Sequence, residues 1–232
     1  RQGLYATEQP RETVDGTEFV CARVEAERRS AAEVLPGVCR ALIEGIQVPR
    51  GMRWGARPAG ASDYLRFSRP IRWLVAKLGP ETLTGEFYGL PLGDVSFGHR
   101  VLGAAVTITA ASDYERLLGE QGVIVSQEER RRLIREGLTA AAGELDGAWS
   151  DPGGVLAEAV YLAEWPSVAR GSFDERHLRL PDEVLVTAMQ SHQRYFPVRD
   201  ADGALLPVFL YVANGDPAAA PLVTRGNERV LD

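Results

Sequence analysis

At 232 residues, with 45% hydrophobic and 25% charged residues, the chain has an ordinary globular composition and enough length for one large domain or two small ones. A core of normal size needs neither disulfides nor metal, and two cysteines, Cys21 and Cys39, are too few for a disulfide framework or a thiolate zinc site, so a reduced pair is expected. The net charge of −6 argues weakly against a nucleic-acid binder, and no apolar run approaches the roughly 18 residues that a membrane span needs.

The first predicted element is a strand from Thr17 to Val24, entered through the Asp15-Gly16 hairpin turn. A helix follows, opened by Ser30 and Glu33 in capping-box spacing. Its stripe is Val34, Leu35, Val38, Cys39, Leu42, Ile43 and Ile46, and Pro36 should start or kink it. Residues 50–62 are rich in Gly and Pro and read as a loop. Residues 71–78 read as a strand or a short helix. Strands are expected in "TLTGEFYGL" and "AAVTITA", with Gly98-His99-Arg100 in the loop between them. Ser112 should cap a short helix. A short strand at "GVIV" should lead into a long helix capped by Ser126 and Glu129, with Leu133, Ile134, Leu138, Ala141 and Leu145 buried. Arg130, Arg131, Arg132 and Arg135 should form its solvated face.

"GVLAEAVYLAEWPSVARGSF" predicts a helix and a strand. "PDEVLVTAMQSH" predicts a helix with Pro181 in its first turn. "RYFPVR" and "PVFLYVAN" predict strands joined by a turn at 200–203, the second covered on both faces. Helices and strands do not alternate regularly, so the expected class is α+β with mixed or antiparallel sheets. The chain reads as a single region over 1–232, and a subdivision could fall near 105–125.

One charge cluster stands against the acidic total. Residues 50–77 hold Arg50, Arg53, Arg57, Arg66, Arg69, Arg72 and Lys77 against the lone acid Asp63, a net +6 that leaves −12 for the rest. Trp54, Tyr64, Phe67 and Trp73 are interleaved with them, a pattern suited to phosphate contact and base stacking. The alternative is a solvated strand face, and 25 Arg against one Lys points to a composition bias.

Catalytic motifs are absent. The sequence contains neither of the two common nucleotide-binding loops, no H-E-x-x-H and no G-x-S-x-G. The three histidines, His99, His177 and His192, are scattered, and Asp200 and Asp202 belong to a turn. His192 has Gln193 and Arg194 as neighbours, neither of which activates a nucleophile. A positioned, hydrogen-bonding His at a helix end fits better than a base. Cofactor and metal sites are expected to be absent from this segment.

"MQSHQRYFPVRDADGALLPVFLYVAN" (189–214) closely resembles the beta subunit of bacterial heterotetrameric glycyl-tRNA synthetases. So do "GMRWG" (51–55), "FSRPIRWLVAKLG" (67–79), "FGHRVLG" (97–103), "GVIVSQEERR" (122–131), "AEWPSVARGSF" (163–173) and "GNERVL" (226–231), in the same order. The resemblance implies an N-terminal segment similar to the B3/B4 module of phenylalanyl-tRNA synthetase beta chains. The family's HD-type and anticodon-binding domains would lie outside the 232 residues. It further implies a cytoplasmic α2β2 ligase whose alpha subunit binds ATP with Mg and joins glycine to tRNA-Gly, while this segment binds and positions tRNA.

The candidate tRNA contacts are Arg50, Arg53, Arg57, Arg69, Arg72, His99 and Arg100. His192, Gln193, Arg194 and Tyr195 belong to a family motif without an assigned role. Two alternatives remain. The first is an editing deacylase in which His192 or His99 positions water. Glycine is the smallest amino acid, so larger competitors can be excluded sterically, and a relic pocket is expected. The second is an alpha–beta interaction module anchored by Trp54, Trp73 or Trp165, of which Trp73 and Trp165 read better as core.

Overall fold

The computed structural model describes residues 11–21, 28–53 and 64–231. The chain divides into two compact units, 1–45 and 46–232, so residues 105–125 lie inside the second. In the first unit, β1 (Arg11–Val14) and β2 (Thr17–Val20) form an antiparallel hairpin. Asp15 and Gly16 both take positive φ, 51° and 79°, as the tight hairpin turn requires. The capping box of α1 (Ala31–Gly45) is reciprocal. Ser30 Oγ accepts from the Glu33 N–H at 3.3 Å, and the Glu33 carboxylate accepts from the Ser30 N–H at 3.0 Å. Pro36 therefore lies inside the helix and does not start it. Cys21 and Cys39 are not bridged.

The second unit is organised on a four-stranded antiparallel sheet in the order β12 (Ala148–Trp149), β14 (Phe196–Arg199), β15 (Leu205–Asn214), β13 (Pro166–Ser172). Successive side chains of a strand face opposite sides, and β15 uses both. Leu206, Val208, Leu210 and Val212 join a core with Ile134, Leu138, Val160 and Phe196. Leu205, Phe209, Tyr211 and Ala213 join a second core with Phe173, Met189 and Tyr195. The expected double coverage of this strand is observed. Asp200 closes the β14–β15 turn, its Oδ1 accepting from the N–H groups of Asp202 and Ala204.

Helices α3 (Gln127–Gly143) and α4 (Val155–Leu162) supply the first core. On α3, Ser126 Oγ accepts from the Glu129 N–H, but the Glu129 carboxylate turns to Arg132 instead of closing the box. Ile134, Leu138 and Ala142 are its fully buried positions. Arg131, Arg132 and Arg135 are exposed as expected, whereas Arg130 turns inward to donate to the Ile124 carbonyl at 2.7 Å. The expected strand at 122–125 does not form; Ile124 donates to the Glu164 carbonyl from a loop.

Short strands fill the first third of this unit: β3 (Met52–Arg53), β4 (Arg66–Phe67), β5 (Leu74–Val75), β6 (Lys77–Leu78), β7 (Glu81–Thr82), β8 (Glu86–Phe87), β9 (Leu90–Gly93), β10 (Val95–Phe97) and β11 (Ala105–Thr107). Residues 71–78 therefore hold two short strands and no helix, and among the described residues only β5–β9 pairs in parallel. Ser112 does not cap α2 (Tyr114–Glu120); it sits in a 3₁₀ turn, and Asp113 occupies the cap position. After α5 (Asp182–Thr187) the chain continues as a π-helix over Ala188–Gln193. A last helix, α6 (Ala220–Leu231), was not expected from the sequence. The class is α+β, as expected.

Candidate nucleic-acid interface

The arginines of the 50–77 window have different fates. Arg50, Arg53, Arg69 and Arg72 are exposed, as is Arg100. Among the described residues these five form no ion pair, whereas Arg116, Arg132, Arg194 and Arg199 each hold a carboxylate. Other exposed arginines, such as Arg131, are also unpaired, so the distinguishing feature is the scarcity of acids within the window itself. Arg53 packs its guanidinium over the Tyr64 ring at 5.5 Å. It also stands directly opposite Arg66 in the β3–β4 pair. Like charges facing each other across a strand pair are destabilising. Lys77 is different: its ammonium is held by the Pro80 carbonyl and the Thr82 hydroxyl, both at 2.9 Å. Arg57 and Trp54 lie outside the described residues.

The segment of His99 and Arg100 joins this window. Trp73 and Phe97 are in ring contact, centroids 4.7 Å apart, and β5 and β10 are neighbours. Beyond Phe97 the loop folds back on the end of α2. The Gln121 carbonyl accepts from the His99 N–H, and the Gln121 side-chain oxygen accepts from the Ala104 N–H. A Cβ at Gly98 or Gly103 would lie 2.4 or 2.1 Å from Gln121, so the loop admits only glycine there. His99 is buried inside this loop. Its Nδ1 accepts from the Val101 and Leu102 N–H groups at 3.2 and 3.3 Å, which leaves the ring proton on Nε2. His99 therefore shapes the loop, and Arg100 is the exposed group it presents.

The HQRY motif lies elsewhere. His192 is exposed on the π-helix and makes no hydrogen bond to the described residues, contrary to the positioned, hydrogen-bonding His expected. Arg194 ends the π-helix at φ 59°, a left-handed conformation uncommon outside glycine, and pairs with Glu158 at 2.7 Å. π-Helical turns and strained backbone concentrate at functional sites. Here both border a cleft of about 550 Å³ lined by Gln193, Arg194, Tyr195, Asn214, Asp216 and Asn227 with alanines and valines. Tyr195 stacks on Phe209 at 4.4 Å. Burial and the neighbouring Tyr211 push its hydroxyl above the ordinary phenol range, so it stays protonated at neutral pH. Among the described residues, neither His99 nor His192 has a carboxylate partner that would make it a general base.

The glycyl-tRNA synthetase beta subunit family model matches residues 1–232. The chain belongs to the glycyl-tRNA synthetase beta subunit family. Glycine–tRNA ligase beta subunits of Desulfitobacterium hafniense and Moorella thermoacetica are 39% and 40% identical over 218 residues, 94% of this chain and 31% and 30% of theirs. That of Desulforudis audaxviator is 40% identical over 231 residues, 99% of this chain and 33% of its own. The chain thus spans about a third of the length of the curated relatives it matches.

Four of the motifs that resemble the glycyl-tRNA synthetase beta family gather in two places. "FSRPIRW" and "FGHR" meet at the Trp73–Phe97 contact, while "QRY", "AN" and Asn227 of "GNERVL" line the cleft together with Val101. Sequence reading missed two polar locks within them. Gln190 is buried, donates to Asp151 at 3.0 Å and accepts from the Gly153 N–H at 2.7 Å, while Asp151 caps α4. Asn214 Oδ1 accepts from the N–H groups of Glu164 and Trp165 at 2.9 Å each, tying the end of β15 to the start of β13. Such locks pair residues tens of positions apart and leave no periodic signal. Among the described residues no helix is long and apolar enough to cross a membrane.

Proposed function

We propose that this chain is the tRNA-contacting, architectural segment of a glycine–tRNA ligase beta subunit. In this reading a separate alpha subunit binds ATP with Mg and performs the chemistry, within a cytoplasmic α2β2 enzyme. The segment binds and positions tRNA-Gly, and its region after Gly45 is B3/B4-like. The observation that carries the reading is that Arg50, Arg53, Arg69, Arg72 and Arg100 are exposed with no ion pair among the described residues, and that the Trp73–Phe97 contact brings the segments of Arg72 and Arg100 together as one surface. Phosphates are the ligand for which such a surface is suited, and released counterions supply the driving force. The hydrolytic alternative has less support, because it requires a base and the two candidate histidines are respectively committed to a loop and open to solvent.

The test is fluorescence anisotropy of the chain with tRNA-Gly across a salt series, with a noncognate tRNA as control. Salt-sensitive binding is expected. Each of Arg53→Ala and Arg72→Ala should lower the slope of log K against log salt by about one unit. Binding that is absent even at low salt, or slopes that do not move, would remove this surface from tRNA recognition.

A further inference from the structure

We propose that Trp73 and Phe97 form a stacking platform for an unpaired nucleotide, held in place by the flanking arginines. The proposal rests on the tRNA-binding reading above and names the part of the ligand that this patch takes. Trp73 is 39% exposed and Phe97 47% exposed, although they touch each other. Their 58° interplanar angle makes the contact tilted instead of stacked, and each ring keeps part of its surface open to solvent. Strand β10 is inverted with respect to ordinary burial: Ser96 points inward at 3% exposure, while Val95 and Phe97 point outward at 42% and 47%. Two outward apolar residues and a tryptophan form a surface whose exposure to water is unfavourable, so covering it with an apolar group lowers the free energy.

The charge around the platform selects the occupant. Arg72 precedes Trp73 directly, and Arg100 lies three residues beyond Phe97; both are exposed without a carboxylate partner among the described residues. Trp73 also walls a groove of about 390 Å³, lined further by Val75, Lys77, Ile108 and Tyr114. The Lys77 ammonium is fixed at that groove by its two oxygen partners. Two of the nearby carboxylates are engaged, Asp94 accepting from the Thr82 hydroxyl and Asp113 accepting from Thr109 and pairing with Arg116, while Glu81 on β7 is exposed. A nucleotide offers a π face and a phosphate in one ligand, matching both halves of this surface. A base already paired and stacked in a duplex presents no free face to the rings, so the platform takes unpaired nucleotides. A protein segment would need an apolar anchor and separate acidic groups at the same spacing.

The experiment compares the chain with Trp73→Ala, Phe97→Ala and Trp73→Phe. The probes are a short non-pairing RNA oligonucleotide, a blunt RNA duplex, and tRNA-Gly, followed by anisotropy and tryptophan quenching, with near-UV circular dichroism to confirm folding. Trp73→Ala should weaken oligonucleotide binding about tenfold, leave duplex binding and the salt slope unchanged, and abolish most of the quenching. Trp73→Phe should retain most of the affinity, and Phe97→Ala reports on the platform if Trp73→Ala does not fold. Unchanged oligonucleotide affinity in folded Trp73→Ala and Phe97→Ala, with the salt slope still lowered by Arg72→Ala, would overturn the platform and leave the phosphate surface standing. Loss of alpha-subunit binding with RNA affinity intact would overturn it in favour of a protein contact. Failure of the unmodified chain to bind any of the three RNAs would overturn both readings.

Discussion

Gln190 shows how one side chain fixes the geometry of the HQRY motif. It reaches from the π-helix to the loop that starts α4, bonding Asp151 and Gly153. Gln190→Ala should destabilise the protein by about 2 kcal/mol, since one of the lost bonds is to a charged group. A lower urea midpoint at an unchanged slope checks this; an unmoved midpoint would mean that water replaces the amide fully. Tyr195 and Phe196 are adjacent and both buried, one in each core, as neighbouring side chains of an extended backbone face opposite sides. Alternation gave that much because it is a property of the local backbone. His99 was misjudged as a surface contact because Gly98 and Arg100 suggest an open loop. The loop instead folds over Gln121, a residue 22 positions away, and no local pattern encodes that.

At the scale of elements, the long periodic segments were legible and the short ones were not. Helix α3 announced itself by its cap and stripe, and β15 by its unbroken apolar run. Strands of two or three residues, such as β5 and β6, carry no usable period, so residues 71–78 stayed ambiguous. Helix α6 contains Pro221 and Gly226 and follows an apolar strand after a 3₁₀ turn at Pro217–Ala219, which concealed it. The sheet itself depends on a packing detail. Gly171 faces Phe209 across β13–β15, and a Cβ there would lie 2.3 Å from the ring. Phe209 is fully buried and stacked on Tyr195, so it cannot move aside. Gly171→Ala should therefore cost about 1–3 kcal/mol. Adding Phe209→Leu should recover part of that loss, so the two substitutions should be non-additive in a urea double-mutant cycle; simple additivity would disprove the contact.

For the whole molecule, both cores are built from residues between Ile134 and Leu231, and the chain divides after Gly45. Residues 46–232 expressed alone should keep one cooperative urea transition, a midpoint near that of the full chain, and the near-UV signature of the buried aromatics. A broad transition would show that the first 45 residues complete the second unit. By itself the sequence determined the α+β class, the main helices and central strands, the carboxylate-poor basic window and the resemblance to the glycyl-tRNA synthetase beta family. These follow from composition, from periodicity along a few residues and from motif order. Only the tertiary structure decided that Trp73 and Phe97 bring two distant arginine segments to one surface, that His99 is interior, and that Gln193, Tyr195, Asn214 and Asn227 share a cleft. Those facts depend on which residues the folded chain brings together across long sequence separations, and that choice is made by the packing of the whole.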